Sequence, residues 1–370
     1  MASLTGDAER MNLARPPHLL ARHDAGRIAL EAAGSSLTYG DFDRLTGRIS
    51  GRLRRSGIRR GDIAALVVRD DAVHLAAMFA IWRLGAVMLS LDWRSSPPEI
   101  RQILTRFAPA RLIAAAMPMR EAVESISLAG LEAETEVDPC IEPLDDAPAI
   151  YALSSGTTGL PKAAVITHAQ QYARTMSYAV SYPVLRDDRY MSTVPLAYSW
   201  GRNMALAHLS IGARIILHPT VFGPQDLLAA VALHQPTTLA VVPRMSRTLL
   251  DLPPKPGWLM PGLRAYFSSS APLPAQDRRE LRARVSPNLV DAYGTTESGV
   301  ATVLDAADMD RMPSAVGRPV FGIEVEVVDA EDRPLAGGET GRLRIRGPGV
   351  AKAYAGATGE DEARLAGGWF

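Results

Sequence analysis

A segment rich in hydroxyls and glycines, SSGTTGLPKA at residues 154–163, combines the residue types that bind phosphate. Its glycines let successive backbone N–H groups point at one anion, and its hydroxyls add further donors. Its lysine is one of only three in the chain. The spacing does not fit the Walker phosphate loop, and the Pro-Lys pair disfavours an ordinary polar loop. The candidate polyphosphate ligands are Ser154, Ser155, Gly156, Thr157, Thr158, Gly159 and Lys162.

A second segment, DAYGTTE at residues 291–297, offers groups suited to a nucleotide. Tyr293 has a flat ring on which a base can stack, and Asp291 could accept a hydrogen bond from an exocyclic amine. Thr296 could donate to a phosphate, and Glu297 is a hard oxygen ligand suited to Mg²⁺. Taken alone, an ordinary strand and turn explains the segment equally well. The rest of the segment that is assigned to the nucleotide site is Ala292, Gly294 and Thr295.

A third segment, SSSAPL at residues 268–273, is built from small residues. Such residues permit a planar ligand to approach the backbone closely, which makes Ser270, Ala271 and Pro272 candidate neighbours of a base. A plain turn before a helix that opens at Pro274 explains the same residues and is favoured when the segment is considered alone.

Apolar periodicity predicts the elements that would position these segments. Helical spacing at residues 41–56, 73–84 and 97–107 alternates with short apolar runs at 63–68 and 86–91, and each of the three segments follows or ends a predicted strand. Strict alternation of apolar and charged residues at 323–327 and 342–346 indicates antiparallel strands with one wet face. The sequence predicts an α/β fold of mostly parallel strands flanked by helices, followed by a small antiparallel β-barrel-like subdomain. The predicted subdomains are 1–185, 186–315 and 316–370.

Composition narrows the class of protein. A chain of 370 residues that is 47% hydrophobic is long enough for two or three subdomains. Its net charge of +0 disfavours a nucleic-acid binder. Cys140 is the only cysteine, which fits a reducing, cytoplasmic location. We find neither a signal peptide nor an apolar run near the ~18 residues that span a bilayer.

Together, the three segments resemble the AMP-forming adenylation superfamily of acyl- and aryl-CoA synthetases, luciferase-like enzymes and peptide-synthetase adenylation domains. Residues 37–39, 341–356 and 368–370 resemble further motifs of the family, so that the resemblance is ordered and covers nearly the whole chain. It departs from the family at Ala163 and Arg342, where glycine and glutamate are usual, and at Ala353, where the family has glycine.

The resemblance implies a role for each matched residue. The loop at 154–159 and Lys162 would hold the outgoing phosphates, and Tyr293 with the backbone of residues 270–272 would sandwich adenine near Asp291. Thr296 would contact the α-phosphate, and Glu297 would bind Mg²⁺. These groups would spread charge while a small carboxylic acid attacks ATP, as phosphoryl-transfer chemistry demands. The catalytic set is therefore Lys162, Thr296 and Glu297.

In the family that the chain resembles, further machinery follows the position that corresponds to Phe370. This machinery comprises the ribose-binding aspartate, a hinge, and a small C-terminal domain with a catalytic lysine. The resemblance therefore implies that the chain is the large N-terminal part of such an enzyme, with impaired turnover on its own.

The acyl pocket of the family corresponds to PLAYSWGRN at residues 195–203. Tyr198 replaces a histidine that is frequent in CoA synthetases, and with Gly201 and Ala292 it forms the predicted substrate pocket. Trp200 is better explained as a core aromatic. No acidic residue lies between Pro195 and Gly212, which disfavours activation of amino acids.

Three functions remain open from the sequence. The first is an acyl- or aryl-CoA ligase, in which coenzyme A takes the acyl group. The second is adenylation followed by transfer to the phosphopantetheine thiol of a carrier protein. The third is a nucleotide-binding module without turnover. His168 follows the phosphate loop and is interpreted as structural, and the other histidines lack the spacing of metal ligands.

Overall fold

The computed structural model describes residues 12–32, 34–114, 123–139, 144–154, 162–182, 184–356 and 365–370. The helices are α1 (Arg15–His23), α2 (Tyr39–Arg55), α3 (Ala72–Arg83), α4 (Pro97–Phe107), α5 (His168–Ser181), α6 (Ser199–Ser210), α7 (Pro224–His234), α8 (Pro243–Leu250), α9 (Ala275–Arg284) and α10 (Ala306–Arg311). Short 3-10 helices lie at Leu131–Ala133 and Ala366–Gly368.

The strands alternate with these helices and confirm the predicted α/β fold. They are β1 (Ile28–Ala32), β2 (Ser35–Thr38), β3 (Ile63–Val67), β4 (Val87–Ser90), β5 (Arg111–Ala114), β6 (Ser125–Ile126), β7 (Pro148–Ser154), β8 (Lys162–Thr167), β9 (Arg189–Ser192), β10 (Arg214–Leu217), β11 (Thr238–Val241), β12 (Ala265–Ser268), β13 (Leu289–Thr295), β14 (Gly299–Leu304), β15 (Arg318–Pro319), β16 (Glu324–Val328), β17 (Arg342–Arg346) and β18 (Ala353–Tyr354).

Side-chain caps fix where the predicted helices begin. The Thr38 hydroxyl accepts a hydrogen bond from Asp41 N (3.1 Å), and the Asp41 carboxylate accepts one from Thr38 N (3.1 Å). This capping box starts α2 two residues earlier than the apolar periodicity predicts. The Ser96 hydroxyl caps α4 by accepting a hydrogen bond from Glu99 N (3.4 Å), with Pro97 in the first turn.

The chain folds into two compact units. Of the described residues, the first unit takes those within Met1–Ala173, Leu196–Ser199 and Ala351–Glu362, and the second takes those within Arg174–Pro195, Trp200–Val350 and Ala363–Phe370. The division into three subdomains at 185 and 315 stays a prediction.

In the first unit, one sheet has the strand order β18-β8-β7-β4-β3-β5-β6. The strands from β7 to β6 run parallel, whereas β8 returns antiparallel to β7 and pairs with β18. The apolar face of α4 packs onto one face of this sheet through Ile100 and Leu104. Helix α3 is buried on nearly all sides, and its Trp82 donates from Nε1 to the Ala149 carbonyl (2.9 Å).

The described part of the acidic stretch at 132–148 is mostly exposed or half-buried but packs against α2 at two residues. A Cβ atom at Gly51 would lie 2.0 Å from the Thr135 carbonyl oxygen, so α2 and this stretch touch backbone to backbone. Glu134 is buried and forms ion pairs with Arg52 and Arg55. These arginines compensate the buried carboxylate.

In the second unit, the strands pair in the order β15-β14-β13-β12-β11-β9-β10. Strands β13, β12, β11, β9 and β10 run parallel, and β14 returns antiparallel to β13. One face packs against α7, α8 and α9 through Leu227, Leu249 and Leu281. The other face carries Phe267, which packs on Tyr182 with a centroid distance of 5.0 Å.

The alternating segments near the end of the chain pair as predicted. Strands β16 and β17 are antiparallel, and Glu326 forms a cross-strand ion pair with Arg344. The Trp369 ring lies 4.3 Å from the guanidinium of Arg344 and 4.4 Å from that of Arg346. Within residues 316–356 these two strands form a two-stranded sheet, without the closure expected of a barrel.

Candidate nucleotide-binding site

The ends of the phosphate-loop segment are held by a β-hairpin. Ser154 ends β7, Lys162 begins β8, and their Cα atoms are direct cross-strand partners. The predicted strand before the segment is confirmed, and the antiparallel return after it was not foreseen. The other candidate phosphate ligands, Ser155, Gly156, Thr157, Thr158 and Gly159, lie outside the described residues. Phosphate binding by this loop stays a prediction.

The second and third segments meet at one edge of the sheet in the second unit. Ser268 and Asp291 are register partners at the carboxyl ends of the parallel strands β12 and β13. Just beyond them, Ser269 Oγ donates to the Ala292 carbonyl (2.9 Å) and joins the two segments. Ligands of open α/β sheets bind at such carboxyl ends. The residues that were predicted to flank adenine are therefore close together.

The backbone is exposed and unusual where the third segment leaves β12. Ser270, Ala271 and Pro272 are all exposed, and Ser270 has a φ of 79°. A residue other than glycine in this left-handed region costs about 1–2 kcal/mol. Such conformations persist where the surrounding structure imposes them, and they cluster at ligand sites. Tyr293, on the neighbouring strand, is exposed as well.

The turn that carries Thr296 and Glu297 closes the β13–β14 hairpin. A Cβ atom at Gly294 would lie 2.0 Å from the Gly299 carbonyl oxygen, so only glycine fits there. Thr295 Oγ1 accepts from Ser298 N, and Ser298 Oγ accepts from Thr295 N, both at 3.1 Å. Thr296 is half-buried within this closed turn, and Glu297 is 7% exposed.

Arg174 of α5 binds this turn from inside the second unit. Its Nη1 donates to the Thr296 carbonyl (3.1 Å), its Nη2 donates to the Glu297 carbonyl, and its Nε donates to the Gly349 carbonyl (2.6 Å). Burial lowers the pKa of Arg174 to about 10. Sequence reasoning missed this residue. The only signal was a charged side chain in the middle of an otherwise uncharged helix.

Asp291 has a partner that the sequence did not indicate. Its Oδ2 accepts from Nη2 and Nε of Arg278, at 2.7 and 2.9 Å. Burial raises the pKa of the Asp291 carboxyl, and the positive charge of Arg278 opposes that shift. Arg278 also donates to the carbonyls of Pro313 and Ala315. The contact of Asp291 with an adenine amino group stays a prediction. In the structure, Asp291 forms an ion pair with Arg278 of α9.

Tyr198, the first residue of the predicted acyl pocket, belongs to the first unit and is 54% exposed. Its hydroxyl donates to Asp92 Oδ2 (3.0 Å), and burial with the nearby Asp92 carboxylate raises the pKa of Tyr198. Arg94 binds the same carboxylate (2.6 Å), and Leu196 N donates to Asp70 Oδ1 (2.7 Å). Asp70 and Asp92, which follow β3 and β4, therefore form hydrogen bonds with residues 196 and 198.

The other pocket residues belong to the second unit. A Cβ atom at Gly201 would lie 2.6 Å from two carbonyl oxygens, those of Val194 and Pro195, so glycine lets α6 begin close to this backbone. Trp200 is 5% exposed and its Nε1 donates to the Val241 carbonyl (3.3 Å). The interpretation of Trp200 as a core aromatic is confirmed. A pocket shared by Tyr198, Gly201 and Ala292 stays a prediction.

His168 lies in the core of the first unit. His168 is buried, its Nδ1 accepts from Leu13 N (3.2 Å), and burial with the charge of Arg60 lowers its pKa to about 4. Its interpretation as structural is confirmed. No group of three or more potential metal ligands occurs in the part of the chain that the structure describes. Binding of Mg²⁺ by Glu297 stays a prediction. In the same described part, none of the helices is both long and apolar enough to cross a bilayer.

Comparison with known proteins agrees with the fold and the motifs. The AMP-binding enzyme family matches residues 19–355, and the chain belongs to this family. The chain is 27% identical over 370 residues to indoleacetate–CoA ligase of Aromatoleum aromaticum, with 94% of this chain and 72% of that protein covered. It is 28% identical over 364 residues to feruloyl-CoA synthase of an Amycolatopsis species, covering 95% of this chain and 73% of that protein.

Solved structures share the fold. The o-succinylbenzoate CoA synthetase of Bacillus subtilis, in complex with its acyl-adenylate intermediate, has a TM-score of 0.88 at 24% identity, covering 98% of this chain and 74% of that one. The N-terminal domain of FACL13 from Mycobacterium tuberculosis has a TM-score of 0.89 at 21% identity, covering 97% and 95%. The chain therefore matches an isolated N-terminal domain along nearly its whole length.

Proposed function

We propose that this chain activates a carboxylic acid with ATP and Mg²⁺ as part of an AMP-forming acid–CoA ligase. The observation that supports the proposal is the hydrogen bond from Ser269 to the Ala292 carbonyl, which joins the residues just before 270–272 and Tyr293 at the carboxyl edge of the sheet. An exposed ring and an exposed stretch of small residues on neighbouring strand ends suit a purine, and the family of the chain is named for binding AMP.

The candidate catalytic residues are suited to the chemistry of the first half-reaction. A carboxylate oxygen of the acid forms a bond to the α-phosphorus, and the bond to pyrophosphate breaks. Thr296 would donate to the α-phosphate, and Lys162 would follow the charge that develops on pyrophosphate. Glu297 would hold Mg²⁺, which would neutralise part of that charge. Preorganised donors of this kind stabilise a transition state because they need no reorganisation during the reaction.

In the second half-reaction, the sulfur of coenzyme A attacks the acyl carbon, and AMP leaves with the electron pair of the broken bond. The named functions of the curated relatives support coenzyme A as the acceptor. Transfer to a carrier-protein phosphopantetheine is the alternative, and consumption of free coenzyme A distinguishes the two. The cytoplasmic location stays a prediction that rests on the single cysteine.

We further propose an aryl acid as the substrate. The relatives named above act on indoleacetate and ferulate, and another acts on 2-succinylbenzoate. Phe267 and Val290 are register partners, so Ala292, two residues further along β13, lies on the same face of the sheet as Phe267. On that face, the buried rings of Tyr182 and Trp200 pack together behind Phe267, so they would give an aryl site an aromatic backing without lining it.

The test is calorimetric binding of non-hydrolysable acyl-adenylate mimics with short, long-chain and aryl acyl groups, with AMP as the reference. Tighter binding of the aryl mimics than of AMP supports the proposal, and tighter binding of another class would correct the acid. If neither AMP nor any mimic binds, the proposed function is wrong. Pyrophosphate release that depends on an added acid then separates an enzyme from a nucleotide-binding module without turnover.

A further inference from the structure

Arg174 is nearly inaccessible to solvent and yet makes its hydrogen bonds to main-chain carbonyls. It is 2% exposed. Nε contacts the Gly349 carbonyl, whereas the two terminal nitrogens contact the consecutive carbonyls of Thr296 and Glu297. The acceptors lie 122 to 175 residues away in the sequence. A single guanidinium therefore ties the turn after β13 to the segment that leads into β18.

Burying a cation is costly unless it is hydrogen-bonded, so a buried arginine at this position needs its carbonyl partners. Burial lowers its pKa, and the nearby Tyr178 and Glu297 act in the opposite direction. A planar fork with five N–H groups can reach three carbonyls at fixed angles, whereas a lysine ammonium is a single point. The site therefore requires the geometry of arginine as well as its charge.

Two consecutive carbonyls held by one rigid group fix the peptide planes on both sides of Glu297. The orientation of these planes sets the direction in which the Thr296 hydroxyl and the Glu297 carboxylate leave the backbone. Gly299 supports the arrangement, because a Cβ atom there would lie 3.3 Å from Arg174 Nε and 3.4 Å from Cδ and Cγ. The turn and the arginine stem are thus packed against each other.

We propose that Arg174 is a positioning residue that holds the Thr296–Glu297 turn in the geometry needed to bind Mg²⁺ and the phosphates of ATP. The inference rests on the proposed function. Groups that orient a metal ligand from behind typically contribute 10- to 100-fold in metal affinity or activity.

The test compares Arg174→Lys with Arg83→Lys. Arg83 is a matched control in the first unit. It is 3% exposed, donates to the Val137 carbonyl (2.9 Å) and forms an ion pair with Asp43. The first readout is amide hydrogen exchange across residues 295–299. The second is the Mg²⁺ concentration that gives half-maximal binding of ATP. We expect faster local exchange and about a 10-fold or larger increase in that Mg²⁺ concentration for Arg174→Lys alone.

If Arg174→Lys exchanges and binds Mg²⁺ with ATP as the unsubstituted chain does, or if both variants change alike, the inference is wrong. Arg174→Met keeps an unbranched stem of similar length and removes the three hydrogen bonds, so it serves if Arg174→Lys does not fold. An unsubstituted chain that fails to bind ATP with Mg²⁺ overturns the proposed function and this inference together. If the unsubstituted chain binds ATP with Mg²⁺ and Arg174→Lys changes neither readout, the inference alone is overturned.

Discussion

The Ser269 hydroxyl and the Ala292 carbonyl form the one side-chain bond described between the ends of β12 and β13 where the candidate adenine site lies. Both groups are buried, so the bond is shielded from water. It links a segment with a strained serine to a segment with an exposed ring. Separation of these segments would change the spacing between residues 270–272 and Tyr293, where we propose that adenine binds.

Replacing Ser269 with alanine should therefore weaken both the fold and nucleotide binding. The buried Ala292 carbonyl would lose its partner, at a cost of about 1–3 kcal/mol in unfolding free energy. We expect the affinity for AMP to fall several-fold, as measured by calorimetry. Ser246→Ala is the control, because Ser246 Oγ is also buried and bonds to Tyr266 Oη (3.0 Å) away from this edge. Equal losses of AMP affinity in both variants would contradict a local role for Ser269.

Gly294→Ala should disrupt the β13–β14 hairpin. The new methyl carbon would lie 2.0 Å from the Gly299 carbonyl oxygen and 2.8 Å from its carbon, which are backbone atoms that cannot step aside. Such a clash belongs to the class of substitutions that cost more than about 3 kcal/mol. Gly262→Ala is the control, since nothing lies within 4 Å of its Cβ position. The check is urea unfolding, and similar midpoints for the two variants would show that the hairpin adjusts.

The elements were predictable from the sequence to a larger extent than the site. Strands β3 and β4 and helix α4 were predicted because apolar periodicity and terminal glycine or proline are local signals. Strands β8 and β14 were not predicted as antiparallel returns, because a glycine-rich loop after a strand predicts a turn and leaves the direction of the next element open. Arg174 was missed because its partners are main-chain carbonyls more than 120 residues away, and carbonyls carry no sequence signature.

Substitutions of Tyr198 should distinguish the contribution of its ring from that of its hydroxyl. Tyr198→Phe loses only the bond to Asp92, and because the residue is 54% exposed we expect a change in unfolding free energy below about 1 kcal/mol. Tyr198→Ala removes the ring as well. If the ring lines the acyl pocket, the alanine variant should lose preference among acyl-adenylate mimics while the phenylalanine variant retains it. Unchanged preference in both variants would remove Tyr198 from the pocket.

The stability of the fold should depend on pH through His168. Its pKa is lowered from the ordinary value of 6.5 to about 4. Between pH 6.5 and 4, the unfolded chain therefore binds a proton at His168 that the folded chain does not bind. Stability should then fall as the pH drops from 6.5 towards 4, by at most about 1.4 kcal/mol per pH unit from this residue. His168→Gln should flatten the curve of unfolding free energy against pH by that slope. The exposed His23→Gln is the control, and parallel curves for His168→Gln and the unsubstituted chain would exclude this contribution.

Glu297→Gln tests the proposed metal ligand directly. The amide keeps the size of the side chain and removes its negative charge, on which affinity for a hard cation depends. We expect the Mg²⁺ concentration for half-maximal ATP binding to rise at least about 10-fold. Binding of AMP without Mg²⁺ should change little, because the base contacts a different part of the edge. Glu324→Gln is the control, since that carboxylate forms an exposed ion pair with Arg346. If Glu297→Gln and Glu324→Gln share one Mg²⁺ dependence, the metal is held elsewhere and Glu297 serves only the turn.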